Sequence, residues 1–336
     1  EYLAKDGIYS VMDWPEIELL GRGFGNPIMY LLISFKNKFQ DVARSFIPPP
    51  KAGLLAALVF GNENEIPQEW KAKFNITGTR HIAAVSGMNI TIIASLILSF
   101  ALGIGLWRQH AFWLSLFLLL LYILMIGAPA SAVRAGIMGG FLMAAQHFGR
   151  MSMAQRAVTF SAFLMLVSNP LLLRFDIGFQ LSFLAIFGII YLQPYFAEKL
   201  KKVPDLKYFP VKTTLASTIS AQIFTLPVLI YNFGSVSLIS LPANMLIVPL
   251  LAPLTVLIFV FGAVGIVFEF LGAVLSLPVW FSLSYIMAVV DWFSKAPFAQ
   301  MKIENIHYGW LLAAYLILGF LAWRVRERQK LKFLDY

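Results

Sequence analysis

Apolar residues recur along most of this chain in runs near twenty, the length that carries an α-helix across a bilayer. From residue 81 onward the pattern predicts nine spans, at roughly 81–106, 111–128, 130–148, 154–168, 177–196, 212–231, 248–268, 271–292 and 308–323. Ahead of them the pattern changes character. Residues 27–47 place Ile28, Leu31, Leu32, Phe35, Phe39, Val42, Ala43 and Phe46 at helical spacing, with Lys36, Lys38, Gln40, Asp41 and Arg44 between them. That reads as an amphipathic helix lying in the membrane interface, ended by Pro48, Pro49 and Pro50. The apolar stretch 52–61 is too short to span, so it is interfacial, re-entrant or packed on the bundle. Residues 1–25 mix strand formers with turn formers and read as the end of a small extramembrane β module whose start precedes this sequence. The expected architecture is therefore an all-α polytopic membrane protein with broken or re-entrant segments. Its regions are 1–25 (β module), 26–80 (amphipathic and interfacial helices), 81–323 (transmembrane domain) and 324–336 (basic tail).

Composition agrees: 59% of the 336 residues are hydrophobic and 13% charged, far from the balance of a soluble enzyme. Cysteine is absent, which excludes disulfides, thiolate metal sites and thiol catalysis. The net charge of +9 has two readings, orientation in the membrane or attraction of a polyanion. Placement divides it. With the N-terminus outside, Arg108, Arg150, Arg156, Lys199, Lys201, Lys202, Lys207, Lys212 and the tail cations Arg324, Arg326, Arg328, Lys330 and Lys332 all fall inside, half of the 26 Lys and Arg. Outside loops after the first span hold only Arg174, Lys295 and Lys302. Nine cations ahead of the first span break the pattern: Lys5, Arg22, Lys36, Lys38, Arg44, Lys51, Lys71, Lys73 and Arg80. A translocated N-terminal region bound to anionic headgroups explains them, and so does an outer basic collar of Lys71, Lys73 and Arg80 that attracts a polyanion.

Polar side chains inside spans face a bundle interior or a water path. Here His81, Ser86, Asn89, Arg134, Asp176, Gln180 and Asn244 fall in the outer portions of their spans, with Gln222 near mid-membrane, so separate segments aim polar groups at one vestibule. Each also has a structural reading. Asp176 is a natural partner for Arg134 or a first-turn acid favourable to a helix dipole. Ser86-Gly87 suits a small-residue packing contact. Asp176, Gln180 and Phe183 share one helix face. Pro227, Pro242, Pro249 and Pro253, with Gly234, predict interrupted helices around a cavity.

Several chemistries fall away. The four His, at 81, 110, 147 and 307, show no zinc spacing, so no metal or other cofactor is expected. No phosphate-cradling GxxxxGK[ST] loop exists. His81 and Ser86 lie about 140° apart on a regular helix, a poor base and nucleophile pair. No catalytic residue is assigned. An intramembrane hydrolase centred on Ser86 and a secondary transporter for a small anion held by Arg134 remain alternatives, although no inverted repeat supports the transporter.

Five segments carry a further signal: HIAAVSGMNI (81–90), PASAVRAGIM (129–138), NPLLLRFDIGFQLSFLAIFGI (169–189), AQIFTLPVLIYNFGSVSLIS (221–240) and ANMLIVPLLAPL (243–254). In this order they resemble the ComEC competence proteins, the DNA-uptake channels of bacterial transformation. The resemblance covers about residues 45–292. It implies a multi-pass protein of the bacterial plasma (inner) membrane, N-terminus outside and C-terminus cytoplasmic, that passes single-stranded DNA inward. It implies that 1–25 is the tail of an OB-like module. A C-terminal metallo-β-lactamase-like domain of relatives is expected beyond this sequence, or replaced by a separate nuclease. Where many relatives have SGLH, this chain has Ser86-Gly87-Met88-Asn89, a neutral amide in place of a titratable His. The implied partners are the bilayer, outer DNA-receptor proteins and a cytoplasmic ATPase or helicase. Inward movement of each phosphate against a negative interior is opposed by about 2.3 kcal/mol per 100 mV, work that fixed cations cannot supply.

Overall fold

The computed structural model describes residues 25–83, 85, 87–147, 154–205, 211–303 and 307–334, with isolated positions before residue 25. The expected β module at 1–25 therefore lies outside the described residues, as do Ser86, Arg150 and Lys207.

Helix α1 (Pro27–Phe46) begins where the Asn26 side chain accepts from Ile28 N at 2.9 Å and Pro27 fills the first turn. Phe39, Gln40 and Ala43 are buried, while the apolar Ile28, Tyr30, Leu31 and Phe35 are exposed. α2 (Lys51–Phe60) is buried from Ala52 to Phe60, so the short apolar stretch is packed inside the bundle. α3 (Gln68–Ile76) and a single 3-10 turn (Arg80–Ile82) follow. The bundle comprises α4 (Gly87–Gly103), α5 (Arg108–Met125), α6 (Ala130–His147), α7 (Ala154–Ser168), the one-turn α8 (Leu172–Phe175), α9 (Ile177–Lys199), α10 (Val211–Phe233), α11 (Ser240–Val267), α12 (Glu269–Ser294) and α13 (Tyr308–Leu334). Strands β1 (Ser235–Ser237) and β2 (Gln300–Lys302) pair antiparallel, with Val236 opposite Met301, and tie the α10–α11 connection to the α12–α13 connection.

Each expected span corresponds to a helix, but among the described residues six are long and apolar enough to cross a membrane: α5, α9, α10, α11, α12 and residues 308–325 of α13. α4 and α7 are apolar but shorter, and α6 carries Arg134 among small residues. The first span also starts later than expected. His81 sits in the 3-10 turn and the helix begins at Gly87.

The prolines act differently from the expectation of breaks. α10 runs through Pro227 and α11 through Pro249 and Pro253. Each proline removes one backbone bond, but α11 is held by the buried Ile247, Leu251, Leu254, Ile258 and Phe261 along it. The break comes instead at Gly234, whose φ of 59° ends α10.

The main core joins α1, α2, α4, α5, α6, α11 and α12, and smaller clusters join α7 to α9 and α9 to α10 and α13. Outward positions such as Phe117, Phe163, Leu277, Phe281, Leu316 and Phe320 are apolar and exposed, the surface a lipid environment requires. α1 docks against α11 and α12: a Cβ at Gly262 would lie 2.0 Å from the Phe39 ring, and Val42 and Phe46 approach Gly265 and Gly272 on either side of the α11–α12 junction.

Candidate functional site

The segment 61–90 crosses one end of the bundle and touches the helix ends in turn. Lys73 reaches Asp291 in the last turn of α12, Nζ to Oδ1 at 2.8 Å. Gly78, at φ 66°, presses on the β1–α11 junction so closely that a Cβ there would lie 2.6 Å from Ser240 Cβ and 3.0 Å from Ser237 Cβ. The His81 imidazole is hydrogen-bonded to the backbone of Gly78. The carbonyl of Val85 accepts from Ser131 Oγ in the first turn of α6 at 3.0 Å, and Gly87 lies against Ala135. Beside Ala135, Arg134 reaches over the Phe183 ring of α9, its guanidinium carbon 5.5 Å from the ring centroid. Residues from α3, α6, α9, α11 and α12 thus form one chain of contacts, organised by residues 73–87.

Two polar groups stand out within it. In the first, Gln222 Nε2 donates to Ser240 Oγ at 2.8 Å, and Ser240 Oγ donates to the Ser237 carbonyl at 3.0 Å. Asn244, one turn further along α11, is buried. The Ser237 hydroxyl and the Asn244 side-chain oxygen have no hydrogen-bond partner among the described residues. Of the predicted residues, Gln222 belongs to this group, His81 is linked to it through Gly78, and Asn244 lies one turn further along α11.

The second group is Arg134, Phe183 and Asp176. Arg134 is 5% exposed, and its Nη1 is buried without a hydrogen-bond partner among the described residues. Asp176 forms no ion pair with it among the described residues. The carboxylate is engaged locally instead: it caps α9, Oδ1 accepting from Phe179 N at 2.9 Å. Gln180 is also engaged locally, donating to the Leu173 carbonyl at 2.8 Å and so closing the α8–α9 turn.

Asn89 serves α2. Its Nδ2 donates to the Leu58 carbonyl at 2.9 Å, and the Tyr122 hydroxyl donates to the Val59 carbonyl. These are last-turn carbonyls of a helix buried from end to end, with no intrahelical donor of their own. Tyr122 was not singled out by its sequence context, since a lone tyrosine in an apolar helix resembles any other buried aromatic. Its phenol is what distinguishes it.

The cations of the 61–90 segment are partly neutralised. Lys73 contacts Asp291 and Glu69, the latter at 2.6 Å, and these carboxylates hold its ammonium above the usual lysine pKa. Arg80 faces Glu63 at 3.6 Å. Lys71 forms no ion pair among the described residues. Arg44 of α1 pairs with Glu65 of the same segment at 2.8 Å.

A family model described as "Competence protein" matches residues 58–328. The ComE operon protein 3 of Bacillus subtilis (strain 168) is 31% identical over 220 residues, which cover 66% of this chain and 27% of that protein. The chain therefore spans about a quarter of that relative's length. No solved structure matches. The family match includes all the polar positions of both groups.

Proposed function

Because the chain belongs to the competence protein family, we propose that it conducts single-stranded DNA across the plasma membrane into the cytoplasm during natural transformation. The observation that carries this reading is the contact of segments 81–90, 129–138 and 169–189 through Val85, Ser131, Arg134 and Phe183, with 221–240 held against Gly78 beside them, in a membrane-compatible bundle. Those segments contribute mostly uncharged hydrogen-bonding groups, with the Arg134 and Arg174 guanidiniums and the Asp176 carboxylate. Such a lining touches a polyanion without trapping it, whereas a row of free cations would hold every phosphate.

In this reading the N-terminus and the polar end face outward, and the C-terminus lies in the cytoplasm. The opposite bundle end supports that orientation, since it carries Arg108, Arg156, Lys199, Lys201, Lys202 and Lys212, as the positive-inside preference requires. Lys71 and Arg80 attract the strand at the entrance, and His81, Gln222 and Asn244 line the way in. Lys73, tied to α12, positions α3. Directed movement comes from a cytoplasmic ATPase or helicase, and strand selection from outer receptor proteins and a nuclease.

The test is transformation with labelled DNA in cells carrying the paired charge reversal Lys71→Glu and Arg80→Glu. Uptake falls at least about tenfold with unchanged protein levels if the entrance attracts DNA. Uptake equal to wild type removes the entrance from the reading.

A further inference from the structure

Arg134 is a buried guanidinium at the polar end. It is 5% exposed, its Nη1 has no hydrogen-bond partner among the described residues, and the Phe183 ring 5.5 Å away takes up only part of its charge. A buried cation is ordinarily kept only where a counter-charge and hydrogen-bond acceptors meet it. The nearest candidate, Asp176, is directed elsewhere, its Oδ1 committed to the α9 N-terminus through Phe179 N at 2.9 Å. The two open N–H groups of Nη1 therefore ask for an oxygen acceptor that the described residues do not provide.

The surrounding chemistry defines what that acceptor is. The open Nη1 beside the Phe183 ring, which lies 5.5 Å from the guanidinium carbon, offers two N–H donors and a positive charge, a pairing suited to an oxyanion. Asp176, which caps α9, stands on the same helix face as Phe183 and places a carboxylate at that end of the helix. That carboxylate repels a doubly charged guest more than a singly charged one. A phosphodiester carries one charge, whereas a terminal phosphate carries nearly two at neutral pH.

We propose that Arg134, seated on Phe183 and moderated by Asp176, binds one phosphodiester group at a time. This rests on the DNA-conducting reading for its source, since the same chemistry occurs in a lipid headgroup. In a strand the site holds one backbone phosphate briefly and releases it to the next, because Asp176 keeps its hold weak. Asp176 acts as a positioning residue and Arg134 as the ligand.

The experiment uses the full chain in maltoside micelles, which contain no phosphate. Binding of a fluorescent abasic oligodeoxynucleotide, a phosphodiester backbone without bases, is measured for wild type, Arg134→Gln, Arg134→Lys and Asp176→Asn, each checked for an unchanged thermal melt. Asparagine still caps a helix, so Asp176→Asn alters charge and leaves the α9 start in place. Expected are a loss of about tenfold or more in Arg134→Gln, a smaller loss in Arg134→Lys, and a gain of several fold in Asp176→Asn. Equal binding by wild type and Arg134→Gln overturns the site while leaving the DNA reading standing. No binding of the oligomer by wild type, with Arg134-dependent binding of a short-chain phosphatidylglycerol, overturns the strand as the source and counts against the DNA reading itself.

Discussion

At Leu58 and Val59 the backbone of a buried helix ends in carbonyl groups that water does not reach, and Asn89 and Tyr122 supply the missing donors. An unsatisfied buried acceptor costs about 1–3 kcal/mol, so Asn89→Leu and Tyr122→Phe each lower the melting temperature in detergent, with Tyr122→Phe isolating the hydroxyl. An unchanged melt in both would remove these bonds from the account. The Lys73 contact has a pH signature. Its folded-state pKa is raised above the usual 10.5 by Asp291 and Glu69, so its contribution is complete below the unfolded value and disappears as pH rises through the folded one. The stability difference between wild type and Lys73→Met is accordingly constant through neutral pH and shrinks only above about 10.5, as equilibrium unfolding at graded pH would record. At this scale the sequence revealed which polar residues sit in apolar surroundings, but not their partners. Gln180 faces the backbone of its own turn and Asn89 faces α2, because a side chain's hydrogen bond depends on which carbonyls the packing leaves open. Ser86 lies outside the described residues, and no structural role is assigned to it.

Among the elements, α1 shows how periodicity falls short of placement. Its amphipathic pattern was legible, yet the pattern names a face and not the surface that receives it. The receiving surface is a groove of small residues on α11 and α12, where Phe39 lies against Gly262 and Val42 against Gly265. Gly262→Leu leaves no room for the Phe39 ring, so α1 is displaced. The expected outcome is a protease-sensitive N-terminal region with the remainder of the bundle intact, and resistance equal to wild type would contradict the docking. The prolines of α11 teach the converse lesson. Pro249 and Pro253 resemble break signals locally, but packing along the helix outweighs the loss of two backbone bonds, and the turn forms at Gly234, where φ is positive. The boundary of α4 was misplaced for a related reason, since 81–86 is as apolar as the helix that follows and only the tight contact of Gly78 with Ser237 and Ser240 turns the chain there.

For the whole molecule, membrane character and helical class were legible from composition and run length, whereas the span count was not. Nine apolar segments became nine helices, of which six among the described residues meet the length and hydropathy of a span, because α4 and α7 are apolar but shorter and α6 carries Arg134 among small residues. The charge excess likewise resolves only in three dimensions: Lys73, Arg80 and Arg44 meet carboxylates, and Lys71 forms no ion pair among the described residues. The central claim is that the polar end formed around residues 78–90 admits a DNA strand. The absence of cysteine allows its direct measurement, by introducing single cysteines at His81, Gln222 and Lys71 and following their reaction with an impermeant thiol reagent in intact cells, with and without single-stranded DNA. The account predicts that all three react from outside and that DNA slows labelling at 81 and 222 while a cysteine at exposed Phe281 on the lipid-facing side of α12 is unaffected. Positions 81 and 222 that are inert from outside, or whose labelling DNA leaves unchanged, would contradict it.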